Sequence, residues 1–573
     1  MGDMNFYIQG ENDHTYDAIV VGSGISGGYA AMELCKKGYK TLVLERGRDQ
    51  KHLDYPTANL DPWDIPNQNM VTAEEIALHY EKQNRLSWWV REDHKHFINK
   101  DDEYPYDEVS RFDWIRGHHV GGRSIMWGRH CYRWSDLDFE ANAKEGIAVD
   151  WPIRYKDIEA WYDYVETFVG VSGQAEGLHQ VPDGKFLPPF ELNCVEQHFR
   201  KSVRSKYPKR VITPGRIANL TTYDAEIHKG TRGQCQTRDR CVRGCPYGAY
   251  FSSLSATLPV AAETGNLTIR PDSIVTQIVW DKEAGKASGV LVKDRITGEE
   301  TEYHARIIFC NASTIGTTAI LLNSRSEDWP DGLGNSSGEL GHNIMDHHYG
   351  MGASARIEGF EDDYYKGRKP AGFYIPRFRN IDKESTRSDY VRGFGYQGRA
   401  TRGNNVKPGV FGAALKEQIF APGEYHVAMT CFGELLPYHE NRMWLNFDKL
   451  DKHGQPIITF DAELRENETA LRKDGVICAE EMLEAAGFKD ILSWNEATAP
   501  GAAIHEMGTA RMGRDPKTSV LNKWNQMHEV PNVFVTDGSC MTSAATQNPS
   551  ITYMALTARA VDYMDKQVNA NVL

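Results

Sequence analysis

The chain has 573 residues, 65 Lys and Arg against 79 Asp and Glu for a formal net charge of −14, and 40% hydrophobic and 25% charged residues. That length exceeds one hydrophobic core and requires at least two domains, and the acidic balance argues against a nucleic-acid or anionic-membrane partner. No apolar run approaches the ~18 residues that span a bilayer. Residues 1–14 carry neither a basic n-region nor an apolar h-region, so no signal peptide is expected on this chain. That leaves the cytoplasm, or export alongside a partner that carries the signal.

The first predicted unit runs from residue 16 to 45. Ala18 to Val21 is a short apolar, β-branched run that reads as a buried strand. It ends in G-x-G-x-x-G, formed by Gly22, Gly24 and Gly27, and a helical pattern continues to Lys37, stopped by Gly38. A second apolar strand, Thr41 to Leu44, ends in Glu45. This is the pattern of a dinucleotide-binding unit. Gly22 permits the tight turn, Gly24 the close approach of backbone to pyrophosphate, Gly27 close helix–strand packing, and Glu45 takes the ribose hydroxyls.

Residues 47–113 are polar and aromatic and read as a long excursion outside the sheet. Next, Gly121-Gly122-Arg123-Ser124 is a small-residue loop, suited either to close approach to a ligand or to a plain turn. Tyr155 to Phe168 is an amphipathic helix, and the proline-rich residues after it join it in a second domain or lid, 151–223. Residues 266–280 and 287–293 alternate as strands, followed by a buried strand, Ala305 to Cys310, and a helix, Thr317 to Asn323. Residues 350–495 alternate further and predict a mostly antiparallel sheet with an open face as substrate wall, then a helix, Glu466 to Ala486. The C-terminal stretch holds His505, a strand at Val533 to Val535 ending in Asp537-Gly538, and Asn548-Pro549-Ser550 at the head of a last helix.

Ten cysteines are present, and seven are scattered, reading as buried small hydrophobes. The other three, Cys235, Cys241 and Cys245, have the spacing C-x5-C-x3-C-P of an iron–sulfur loop. Three thiolates suit a three-iron cluster with one corner empty. A zinc knuckle with Cys194 or a histidine as fourth ligand, or free thiols, are the alternatives.

Together these motifs resemble the glucose-methanol-choline oxidoreductases: the Gly22–Gly27 turn with Glu45-Arg46, the Gly121-Gly122-x-Ser124 loop, His505-x-x-Gly508-Thr509-x-Arg511, Asp537-Gly538-Ser539 and Asn548-Pro549. The resemblance covers nearly the whole chain. It implies an α/β Rossmann-like FAD domain plus an α+β substrate domain with a mostly antiparallel sheet. The division expected is 1–150, 224–345 and 500–573 for the FAD domain, with the iron–sulfur loop at 233–247, and 151–223 and 346–499 for the substrate domain and lid. It also implies that Glu45 binds the adenosine ribose, that Val275 meets the adenine end, and that Asp537 and Gly538 line the ribityl–pyrophosphate channel. Arg46, Gly121, Gly122, Ser124, Asn548 and Ser550 join the same FAD site.

The three-cysteine loop is similar to that of bacterial sugar dehydrogenases of the glucose, fructose, gluconate and glucoside-3 types, which implies a 3Fe-4S cluster. Ser124-Ile125-Met126-Trp127 stands where some relatives carry a flavin-linking histidine, so FAD is expected to be non-covalent. Alcohol oxidation needs a base with a pKa near working pH and a group holding the alkoxide oxygen, the roles implied for His505 and Asn548. His118, His119, His342, His347 and His348 read as loop hydrogen-bonders without a catalytic assignment, any of which could reach the substrate. The resemblance implies a sugar dehydrogenase, most specifically for the 3-hydroxyl of a glucoside. It implies as partners a small subunit with a twin-arginine signal and a cytochrome or other acceptor, hence periplasmic export. Glucose 1-dehydrogenase, gluconate 2-dehydrogenase and an oxygen-using oxidase are the alternatives.

Overall fold

The computed structural model describes residues 14–573 except 87, 361–370, 405, 407 and 497. The N-terminal residues read for a signal peptide, 1–13, lie outside the described part.

The main sheet has seven strands. Its order is Leu267–Arg270, Thr41–Leu44, Thr15–Val21, Glu300–Cys310, Lys286–Asp294, Ser273–Asp281, with Val533–Phe534 also pairing with Glu300–Cys310. Ala18, Ile19 and Val20 are wholly buried in this largely parallel sheet, which is why their run is continuously apolar. The strand Glu300–Cys310 takes two partners on one side. Lys286–Asp294 pairs antiparallel with its first half (Gly289 opposite His304), and Val533–Phe534 pairs parallel with its second (Val533 opposite Ile308). That second pairing brings the C-terminal stretch beside the glycine turn.

A six-stranded sheet follows the order Lys489–Asn495, His347–Ile357, Pro422–Glu434, Phe394–Asn404, Phe373–Ile375, Thr213–Pro214, every pair antiparallel. The helix Glu466–Ala485 buries Leu471, Cys478, Met482 and Leu483 against this sheet in a second core.

Two expectations are corrected. The helix Tyr155–Val169 was assigned with 151–223 to the second domain. It buries Ile158, Tyr162, Val165 and Val169 in the first core instead, with Tyr162 Oη 2.8 Å from Thr552 Oγ1 on the last helix. An amphipathic stripe announces burial but not which core receives it. The excursion 47–113 also contributes a strand. Tyr106–Glu108 pairs in parallel with Pro456–Asp461, and with Arg442–Leu450 they form a separate three-stranded sheet. Residues 442–461, expected in the large antiparallel sheet, pack instead with Phe112, Trp114, Ile315 and Ile344.

Candidate active site

A long cavity runs from the end of the Thr41–Leu44 strand to the head of the last helix. Gly22, Gly24, Glu45, Arg46, Gly122, Ser124, Val275, Asp537, Gly538, Asn548 and Ser550 all line it, as does His505. Gly27 and Gly121 support the wall from behind. A Cβ on Gly27 would lie 1.9 Å from the Gly22 carbonyl oxygen, while Gly121 has φ +89° and its N–H donates to Ser23 Oγ at 2.9 Å. At Gly24 a Cβ would meet nothing within 4 Å. It would enter the cradle where the helix N-terminus offers its free N–H groups, so the absence of a side chain here serves a bound phosphate rather than the chain's own packing.

Glu45 is buried at one end. It accepts from Ser23 N (3.2 Å), Ser23 Oγ (2.6 Å) and Gly47 N (2.9 Å), and burial pushes its pKa up. Arg46 beside it pairs with Asp451 at 3.2 Å and lies 4.8 Å over the Tyr104 ring, so a purine would meet Tyr104, Val275 and the strand Pro456–Asp461. Ser124 Oγ donates to Gly121 O at 2.5 Å and accepts from Ser253 N at 3.0 Å, and Ser253 Oγ donates to Gly24 O at 2.8 Å. These bonds hold the two glycine loops against each other. Asp537 accepts from Thr317 Oγ1 (2.6 Å) and from Ser539 N and Oγ, and burial raises its pKa. A wall of backbone N–H groups, one carboxylate at each sugar position and a strictly side-chain-free Gly24 fits FAD.

At the other end His505 is held on both ring nitrogens. Its Nδ1 lies 2.9 Å from Nδ1 of His347, and its Nε2 accepts from Asn548 Nδ2 at 3.1 Å. His347 Nε2 donates to the Ala545 carbonyl, and burial lowers its pKa to about 4, so its ring is neutral with a lone pair on Nδ1. His505 must therefore donate from Nδ1, which leaves the lone pair on Nε2. Burial first, and then the positive charge of Arg123, hold His505 well below its ordinary pKa. The His505 ring is thus neutral and its lone pair faces Asn548. Asn548 is oriented in turn: Gln397 Nε2 donates to its Oδ1 at 2.6 Å, so its Nδ2 points at the histidine.

Asp346 fixes the backbone of this pair. It accepts from the N–H groups of His347 (2.8 Å), Ala503 (3.0 Å) and His505 (3.0 Å), and burial, with Glu506 nearby, raises its pKa to about 7. Arg123 forks onto Glu506 at 3.2 and 2.7 Å beside the cavity.

His347, read from the sequence as a loop hydrogen-bonder able to reach the substrate, stands against His505 instead. Gln397, Asp346 and the Arg123–Glu506 pair were not singled out. The run Asp346-His347-His348 was visible, but its pairing with a residue 158 positions away was not.

The three cysteines are half-buried on one loop. Arg240 pairs with Asp61 (2.6 Å), Arg243 with Asp93 (3.3 Å), and Arg238 donates to the Ala58 carbonyl, so the 47–113 excursion clasps this loop. Cys194, the expected fourth zinc ligand, begins the helix Cys194–Lys206 in the second core. Among the described residues the three thiols are not gathered within 4.8 Å of one another, so the compact tetrahedron of a zinc site is not preformed. The other seven cysteines are buried except Cys194, which is intermediate.

Family models of GMC oxidoreductases match residues 16–349 and 437–557. The chain belongs to the GMC oxidoreductase family. It is 30% identical to 2-methyl-1,2-propanediol dehydrogenase of Mycolicibacterium austroafricanum, over 96% of this chain and 95% of that one. It is 26% identical to the fructose dehydrogenase large subunit of Gluconobacter japonicus, over 95% and 97%. The crystal structure of pyridoxine 4-oxidase from Mesorbium loti superposes with a TM-score of 0.58 at 16% identity, covering 96% and 98%. GMC membership makes this an FAD oxidoreductase acting on alcohol or sugar CH–OH groups. Among the described residues no helix is long and apolar enough to cross a membrane.

Proposed function

We propose that this GMC enzyme is a dehydrogenase for a secondary hydroxyl of a sugar or glucoside, the 3-hydroxyl being the position expected. His505 is its base and a 3Fe-4S cluster its electron outlet. The observation that carries the chemistry is the His347–His505–Asn548 chain, which fixes one tautomer. An alcohol O–H has one donor and acceptor lone pairs, matching the His505 Nε2 lone pair and the Asn548 Nδ2 donor. His505 takes the hydroxyl proton while Asn548 holds the oxygen and aims the carbinol C–H. FAD, held non-covalently along the cavity, supplies the hydride acceptor when bound.

Cys235, Cys241 and Cys245 would hold the cluster, which supplies a one-electron relay. Their half-exposed loop and the arginines around it suit an anionic group. The names of the relatives support a dehydrogenase and, for fructose dehydrogenase, a further subunit. On this reading the partners are a small subunit bearing a twin-arginine signal and a cytochrome-type acceptor, with co-export to the periplasm.

The test is anaerobic mixing of purified protein with methyl glucoside and with glucose, iron and FAD being quantified on the same sample. Three irons per flavin with bleaching by methyl glucoside supports the proposal. Bleaching by glucose alone moves the site to the anomeric carbon, and flavin without iron in anaerobically prepared protein replaces the dehydrogenase by an oxidase.

A further inference from the structure

Three residues before Cys235 lies Arg232, 7% exposed. Its guanidinium has neutral neighbours: Nη1 donates to Phe168 O at 3.1 Å, Nε to Gly248 O at 3.4 Å, and it lies 5.9 Å over the Phe251 ring. Nη2 is buried with no partner, and among the described residues no carboxylate forms an ion pair with Arg232. The other arginines of this segment differ. Arg240 and Arg243 face Asp61 and Asp93, and Arg238 lies 5.6 Å over the Tyr247 ring. A buried cation without counter-charge is costly and is retained where something anionic compensates it. Gly248, whose carbonyl accepts from Arg232 Nε, donates its own N–H to the Cys245 carbonyl at 2.9 Å, so the guanidinium lies against the turn that follows the last cysteine.

We propose that Arg232 is a positioning residue for electron transfer, the buried counter-charge that raises the electron affinity of a cluster held by Cys235, Cys241 and Cys245. This rests on the cluster reading above. Cluster potentials follow net charge, hydrogen bonds to sulfur and solvent exposure, and Arg232 acts through the first. The step it favours moves one electron from the reduced flavin into the oxidised cluster, with no bond made or broken and no proton taken up.

The test is an EPR-monitored redox titration of whole holoprotein, wild type against Arg232→Gln and Arg232→Lys, with iron counted in each. Expected is full iron in all three, a potential in Arg232→Gln lower by at least tenfold in electron binding (59 mV for one electron), and a smaller shift in Arg232→Lys. A change below twofold in an iron-replete Arg232→Gln overturns the proposal. Loss of iron from both variants overturns it too, making Arg232 a structural prop. Wild type without iron instead overturns the cluster reading itself, and the inference falls with it.

Discussion

His505 owes its competence to being unable to ionise easily where it stands. Its depressed pKa means the neutral base persists as pH falls, so the acid limb of kcat/KM should lie below pH 6.5 rather than at it. A limb at or above 6.5 in a pH–rate series would show a base that is not desolvated. Replacing the ring, His505→Ala, should lower kcat by about 10²–10⁴ with FAD content unchanged, measured by steady-state turnover and flavin absorbance. Gln397 acts one bond further out. Gln397→Ala frees the Asn548 amide to rotate, so kcat should fall about tenfold or more while the flavin spectrum stays wild type. Unaltered kcat in that variant would show that Asn548 is oriented by something else.

Segments that contain their whole mechanism are the ones the sequence exposes. The turn Gly22–Gly27 and Glu45 are joined by one strand–helix–strand unit, so local spacing is enough to read them. His505 and Asn548 were readable from their motifs, but Gln397 lies 151 positions from Asn548 and His347 lies 158 from His505. His347 and Gln397 both stand on the six-stranded sheet, and only the docking of that sheet against the C-terminal loops brings them to His505 and Asn548, which no local pattern encodes. Two of the three glycines of the turn give a test at this scale. Gly24 has φ −68°, so alanine is tolerated by the backbone, and Gly24→Ala should leave apoprotein stability within about 0.5 kcal/mol while cutting FAD affinity more than tenfold. In Gly27→Ala the new Cβ strikes the Gly22 carbonyl, and calorimetry should show loss of several kcal/mol or no folded protein.

The helix Tyr155–Val169 offers another. Glu166 is 1% exposed and takes Arg133 Nε at 2.9 Å, so Glu166→Gln removes the buried one of the two carboxylates on this guanidinium and leaves Asp163 at 2.5 Å. About 1–3 kcal/mol should be lost in denaturant unfolding, an amount that would mark this helix as part of the first core rather than a mobile lid.

At the scale of the molecule, the active site exists only where the two large sheets meet. Arg392, wholly buried, is one of the ties between them. It leaves the six-stranded side to reach Asn142 Oδ1 at 2.6 Å and Glu145 at 2.8 Å on the first domain, with Glu434 3.7 Å away. Burial already raises Glu434 to about 8, although Arg392 and Arg377 oppose that shift. Arg392→Met should therefore cost about 3–5 kcal/mol, and without the opposing charge of Arg392 the Glu434 pKa should rise further, so that its proton is held into more alkaline pH. The check is guanidinium unfolding at pH 6 and pH 9. The native Glu434 holds its proton to a higher pH than the unfolded chain does, so the variant should lose more stability than wild type as pH rises between those values. Domain boundaries were the least legible feature for the same reason. The chain crosses between cores several times, and hydrophobic periodicity is silent about which core it enters.

The small three-stranded sheet has one more effect. It joins Tyr106–Glu108 to Pro456–Asp461, and the residues around both strands, Tyr104 and Asp451 among them, wall the adenosine end of the cavity. These are pieces of chain some 350 positions apart, stitched over the place where the nucleotide lies. The flavin is therefore sewn in rather than docked. Its escape and the unzipping of that seam are one event, and the holoenzyme should exchange its cofactor on the timescale of local unfolding rather than of diffusion.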